Sequence, residues 1–256
     1  YFHTKEYQVL TPFHMPARSS RLDAVRIQLS NGAEIRAKDR AGRTPLEEML
    51  VHGNNINISA MAVIAGILLE AGAEITKDMQ DHVTRIAKDF EFHRGNFNKE
   101  MLDDTDKGLK QLYELFDVPP VARRIMHDGV SPITVKATTW LAQHQELLEM
   151  LIPSQGPAKT MQGEVIRITG KIAGELYRNG GANWSMDFRK MLNALVKHLA
   201  SENALERHEI EEATALAKQI NSNSNDDEMS RLLELAVQWV LKNPLPVVLI
   251  KPDYRR

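Results

Sequence analysis

Two different phrases recur in this chain in the same order, and a recurrence of this kind limits the fold more than any other feature of the sequence. Leu29-Ser30-Asn31-Gly32-Ala33-Glu34-Ile35 returns as Leu69-Glu70-Ala71-Gly72-Ala73-Glu74-Ile75, 40 residues on. Thr11-Pro12-Phe13-His14 returns as Thr44-Pro45-Leu46-Glu47 after 33 residues, and Thr84-Arg85-Ile86-Ala87 lies 40 residues beyond Thr44. The residue types explain the phrases. Threonine caps a helix, and proline fits its first turn, where no N–H is needed. A second helix follows and ends near Leu29 or Leu69. Gly32 and Gly72 can then adopt the left-handed conformation that stops it. A two-helix unit cannot bury its apolar face alone, so it stacks on the next copy.

The run Thr11-Pro12-Phe13-His14, Arg21-Leu22-Asp23-Ala24-Val25, Asn31-Gly32-Ala33, Ala37-Lys38-Asp39 and Gly42-Arg43-Thr44-Pro45-Leu46 resembles the ankyrin repeat. The match is strong over about residues 10–47 and stays in phase to about residue 90. The resemblance implies paired antiparallel helices joined by protruding turns, stacked into a curved slab with a binding role and no catalysis. The expected fold class is therefore all-α: an ankyrin-like α-solenoid of stacked helix-turn-helix repeats, divergent toward the C-terminus. Ankyrin repeats are expected over 1–118. Divergent helical repeats with a C-terminal extended tail are expected over 119–256, either continuing the solenoid or forming a separate helical domain.

Some positions depart from the family pattern. Pro16 falls inside the first helix, which should be short or bent. Met49 and Leu50 stand where the family has alanines, and their bulk should splay the neighbouring helices. Val51 to Ile58 replaces a tight turn by a longer loop. His82 stands where the next protruding turn would want glycine, so that turn should differ in shape.

Beyond residue 90 the helices are read from apolar spacing. One runs over Lys107 to Phe116. Pro119-Pro120 should open another, ending at His127-Asp128-Gly129. Thr139 can cap Trp140 to Leu151, with Pro153 stopping it. Residues 161–179 carry Val165, Ile168, Ile172 and Leu176 on one side, and Asn179-Gly180-Gly181 ends the pattern. Ser185 can cap the helix through Leu199. Arg207 to Ile220 follows, then a polar linker over Asn221 to Asn225. Asp226 or Asp227 starts a last helix containing Trp239, read as core. Val247 to Ile250, between prolines, should pack on that helix near Trp239 and Val240, the alternative being that it adds a strand to a partner.

Composition removes several kinds of chemistry. The 256 residues carry 32 basic and 34 acidic side chains, a formal charge of −2. This gives no basic field for a phosphate backbone, so no nucleic-acid partner is expected. No run of 18 apolar residues is present, so no membrane span is expected. There is no cysteine, which excludes disulfides, thiolate metal sites and thiol nucleophiles. The chain opens on Tyr1 rather than methionine, which implies a processed start and hides any targeting peptide. A soluble, cytoplasmic protein is the expectation.

The nine histidines include no helical i, i+4 pair around a glutamate. His14 matches the family histidine that bonds local backbone. His127 should cap a helix C-terminus. Asp103 to Glu114 imitates a calcium loop, but Thr105 and Lys107 occupy positions that need oxygen ligands. Gly163, Gly170 and Gly174 have no preceding strand and no following Gly-Lys-Ser/Thr, so they are not a phosphate loop. Gly170 and Gly174 should instead allow close helix approach. No cofactor and no metal are expected.

Binding is the expected function. By the family resemblance, Asp39, Gly42, Thr44, Pro45 and Leu46 hold the repeat together. Arg40, Ala41, Arg43, Glu48, Val51 and His52 match variable positions of the turn and inner helix and would line a concave face. Arg36, Lys38, Arg40 and Arg43 make the turn basic, which suits an acidic patch on a protein partner. Trp184 follows two glycines and is the candidate exposed anchor. The partner-binding set is thus Arg40, Arg43, Glu48, Val51, His52 and Trp184. A narrower version is a scaffold that regulates or inhibits its partner, which rests on family analogy alone. The alternative is an enzyme with a site around His144, Glu146 or Asp187.

Overall fold

Thr44 accepts the N–H of Glu47 at 3.3 Å and Pro45 takes the first helical position, so the capping phrase starts a helix as its residue types require. The computed structural model describes residues 11–220 and 226–254, and the expected linker Asn221 to Asn225 lies outside them. Helix is the only regular structure among the described residues apart from one isolated antiparallel bridge. The chain divides into two compact units, residues 1–123 and 124–256, where the sequence placed a boundary at 118/119.

The first unit holds α1 (His14–Arg18), α2 (Leu22–Ser30), α3 (Pro45–Val51), α4 (Ile58–Glu70), α5 (Lys77–His93) and α6 (Leu102–Phe116). α1 packs on α3 and α3 on α5; α2 packs on α4 and α4 on α6. The odd helices therefore form one row and the even helices another. Between the rows lies an aliphatic core in which Leu46, Met49, Leu50, Met61, Ile64 and Leu68 are fully buried. Burying each such side chain contributes roughly 1.5–3 kcal/mol before entropy is counted. Met49 and Leu50 fill the interior here. Pro16 sits in the first turn of a five-residue helix, where its missing N–H has no partner to lose.

The third pair starts earlier than the repeat phase implies. Thr76, not Thr84, caps α5 by accepting the N–H of Met79 at 3.3 Å. Thr84 lies inside the helix and returns its hydroxyl to the carbonyl of Gln80 at 3.0 Å. His82 is consequently mid-helix and no turn forms there. Gly108, a calcium-loop position by sequence, is the contact between α6 and α4: a Cβ on it would lie 2.8 Å from Ser59 Cα. Gly32, Gly42 and Gly72 all have positive φ, as their turn positions require.

The helix expected after Pro119-Pro120 does not form. Residues 118–139 form no regular secondary structure. The second proline ring disfavours helical geometry at the first, and Asp117 ends α6 in the left-handed conformation. His127 therefore caps no helix of its own; its Nδ1 accepts the Gly129 N–H at 3.0 Å. Arg124 caps α7 instead, donating to the carbonyls of Leu148, Glu149 and Ile152.

The second unit holds α7 (Trp140–Leu151), α8 (Met161–Asn179), α9 (Met186–Leu199), α10 (Arg207–Gln219) and α11 (Asp226–Lys242). α11 contacts all four others. That is a bundle around a central helix, whereas stacked repeats touch only their neighbours. Trp239 is fully buried on α11 and donates its indole N–H to the Ser201 carbonyl at 3.1 Å. Val165 to Thr169 is helical within α8, and Gly180, with positive φ, terminates it. Gly170 approaches Leu148 of α7, while Gly174 faces open space, so only the first of the pair serves helix contact.

The tail departs from expectation most. Val248 and Ile250 are exposed where packing on α11 was expected, while Val247 and Leu249 are half-buried. Val247 and Leu249 pair with the segment before α8: Met161 N–H donates to the Val247 carbonyl at 2.8 Å and Leu249 N–H to the Lys159 carbonyl at 3.2 Å. The reason is that polar groups fix its path. Gln162 donates to the carbonyls of Asn243 and Leu245 and accepts from Val247 N–H.

Candidate functional site

The turn before α3 is built on one carboxylate. Asp39 Oδ1 accepts the N–H groups of Ala41 and Arg43, each at 2.8 Å, and Oδ2 accepts Arg43 Nε at 3.2 Å. Burial alone would raise the Asp39 pKa. The Arg43 N–H and guanidinium and the Ala41 N–H outweigh it and hold the carboxyl below the usual range. Gly42, at φ +78°, closes the turn.

Arg43 then reaches from the turn to the helix. Its Nη2 lies 3.0 Å from Glu48 Oε2, while Arg18 Nη1 and His52 Nε2 lie 3.4 and 3.1 Å from Oε1. The Glu48 side chain is fully buried, and neither oxygen has an aligned hydrogen bond. The two guanidiniums hold it by charge, with the His52 imidazole beside them. Removing a partner from such a carboxylate is expensive, because the buried charge stays behind. His14 ties the same turn to α1: Nε2 lies 2.9 Å from the Arg43 carbonyl and Nδ1 lies 2.7 Å from Thr11 Oγ1. Arg85, from α5, donates to the carbonyls of Leu50 and Val51 at 2.8 and 3.1 Å. It thereby satisfies the end of α3. Beside it, burial first and Arg85 second lower the His82 pKa.

The arrangement brings four of the six expected binding residues together: Arg43, Glu48, Val51 and His52, with Arg40 exposed at the adjoining turn. Two assignments change. Glu48 does not line a surface; it is fully buried beneath Arg18, Arg43 and His52, and the two guanidiniums offset part of the cost of burying its charge. Trp184 belongs to the other unit and is half-buried. Its indole stacks on Phe188 with centroids 5.1 Å apart and planes 12° apart, so it is not the free anchor expected. Arg18 and Arg85 were missed. Each meets α3 from a different helix, so only packing reveals them.

The residues of the alternative enzyme reading separate. His144 is buried, with Nε2 3.1 Å from Thr169 Oγ1, and burial lowers its pKa to about 4. Glu146 accepts the N–H groups of Lys136 and Ala137. Asp187 lies in the first turn of α9, and among the described residues no hydrogen bond or ion pair links the three. The buried polar cluster of this unit is a different one. Glu164 accepts from Arg167 at 2.7 and 2.8 Å, from Tyr254 OH at 2.6 Å and from Ala158 N–H at 3.1 Å. Burial alone would raise the Glu164 pKa, but Arg167, Tyr254 and the Ala158 N–H together lower it. Through the Tyr254 hydroxyl this cluster ties the tail to α8.

Among the described residues no cluster of His, Asp and Glu is placed to hold a metal ion, and no helix is long and apolar enough to cross a membrane. Comparison with protein-family models, with curated proteins and with solved structures gives no match in any of the three.

Proposed function

We propose that residues 1–123 form an ankyrin-like solenoid that binds a protein partner through the face carrying the Asp39–Arg43 turn and α3, without catalysis. The observation that carries this reading is the Glu48 anchor. A buried carboxylate at the base holds Arg18, Arg43 and His52 in fixed positions at a partly exposed rim, next to exposed Arg40 and Lys38. Pre-ordered cations lose less freedom on binding than mobile ones do. They suit an acidic patch on the partner. The two rows of helices and the phrases of the sequence support the repeat assignment. A regulatory or inhibitory role toward that partner is the corresponding biological proposal, in the cytoplasm.

Photo-crosslinking residues introduced singly at Arg40 and Lys38 test the surface. Lys110, exposed on α6 in the other row, is the control. Both turn positions should crosslink to the same protein in native cells and Lys110 should not. Equal crosslinking from all three sites, or from Lys110 alone, would remove this face from consideration.

A further inference from the structure

The tail turns one aliphatic face to solvent. Its polar partners are buried: Gln162, Asn243, Glu164 and Tyr254 are all nearly or fully enclosed. Three of its aliphatic side chains face solvent, with Leu245 66%, Val248 82% and Ile250 86% exposed, while Val247 and Leu249 are half-buried. Burial of apolar area is the usual reason for ordering such a segment, and here Val248 and Ile250 contribute little to it. The segment is nevertheless held at both ends, by Gln162 upstream and by the Tyr254–Glu164 bond downstream.

The backbone shows what would cover it. The bridge places Thr160 opposite Val248, with the hydrogen bonds on either side running from Met161 N–H to Val247 and from Leu249 N–H to Lys159. The N–H and C=O of Val248 therefore point away from residues 159–161, and by strand alternation so do those of Ile250. Among the described residues neither N–H makes a backbone hydrogen bond. An outward row of N–H and C=O groups is satisfied in register by an extended strand. Pro246 and Pro252 bracket the row and limit it to Val248 and Ile250.

We propose that this edge pairs with the same edge of a second copy of the chain. In an antiparallel ladder centred on Leu249, Val248 of one copy exchanges both hydrogen bonds with Ile250 of the other, and the reverse. All four outward groups of each copy are satisfied. Pro246 then faces Pro252 of the second copy at each end of the ladder, where neither missing N–H is needed. Val248 and Ile250 meet as cross-strand aliphatic pairs, a favourable combination. The formal charge of −2 offers little repulsion between copies. The patch is small, so the association is weak, in the high-micromolar range.

Sedimentation velocity of the 256-residue chain from micromolar to about 1 mM tests this. A reversible monomer–dimer equilibrium is expected. Val248→Pro deletes one outward N–H and leaves the bonds to residues 159–161, and it should weaken the dimer at least roughly tenfold. Ile250→Lys, at an 86% exposed side chain, should do the same with an unchanged melting temperature, which covers a Val248→Pro variant that misfolds. A monomer at every concentration, or a dimer that survives Ile250→Lys, would overturn the proposal.

Discussion

At the residue scale, one buried carboxylate decides which substitutions the first unit tolerates. Arg43 bridges Asp39 and Glu48, so Arg43→Glu puts a third acid among the two it joined. A loss of about 3 kcal/mol is expected in urea unfolding, against at most about 0.5 kcal/mol for exposed Arg40→Glu. Equal effects would mean that the Glu48 anchor contributes nothing. Both arginines carry the same variable-position signature in the sequence. Only the structure separates them, because Glu48 turns inward. Asp39, by contrast, was legible, since its partners lie in its own turn; His14 bonds Thr11 locally as expected, but its Nε2 reaches the Arg43 carbonyl, which only the fold brings near. In the second unit, His144 gives a pH dependence. Its folded pKa of about 4 lies below the ordinary 6.5, so the unfolded chain takes up a proton first as pH falls. Stability from this group is complete above about pH 6.5 and is lost between there and about pH 4, by up to about 3 kcal/mol. Burial lowers the His198 pKa as well, in the same direction. His144→Asn should flatten the pH 4–6.5 limb of the stability curve relative to the parent chain. An identical slope in both would show that His144 does not titrate differently on folding.

At the element scale, two glycines inside helices should respond to alanine with opposite signs. Gly108→Ala drives a methyl to within 2.8 Å of the Ser59 backbone, which cannot swing aside. Overpacking costs about 1–3 kcal/mol and helix propensity returns at most about 1 kcal/mol, so the melting temperature should fall. Gly174→Ala meets open space and keeps only the propensity gain, so the melting temperature should rise. A rise in both would show that α4 and α6 do not approach as described. The helices that sequence located well are those with a cap or a stop nearby, such as Thr44, Thr139 and Gly180. The misplaced ones had ambiguous punctuation. Thr84 looked like a cap because it kept the repeat phase, yet Thr76 followed the preceding turn directly. Pro119-Pro120 looked like a start because proline suits a first turn, yet a second proline disfavours helical geometry at the first. The tail was misread because its apolar residues suggested a core, whereas Gln162, Glu164 and Tyr254 set its course.

At the scale of the molecule, the two halves differ in how they are stabilised. In residues 1–123 each row is a chain of neighbours, while in residues 124–256 α11 gathers every other helix around it. The repeat phrases mark paired helices in the first half and have no counterpart in the second, since a bundle leaves no fixed period in the sequence. The residues proposed for binding follow the same division: those of the turn and α3 come together, and Trp184 stands in the other unit. The central claim is that the first unit meets a protein partner through the Asp39–Arg43 turn and α3. Amide hydrogen exchange of the complex purified from native cells, compared with the free chain, tests it most directly. Slower exchange is predicted across residues 38–52, with α4 and α6 unchanged and α2 likewise. Protection confined to residues 124–256, or to α2, α4 and α6, would contradict it.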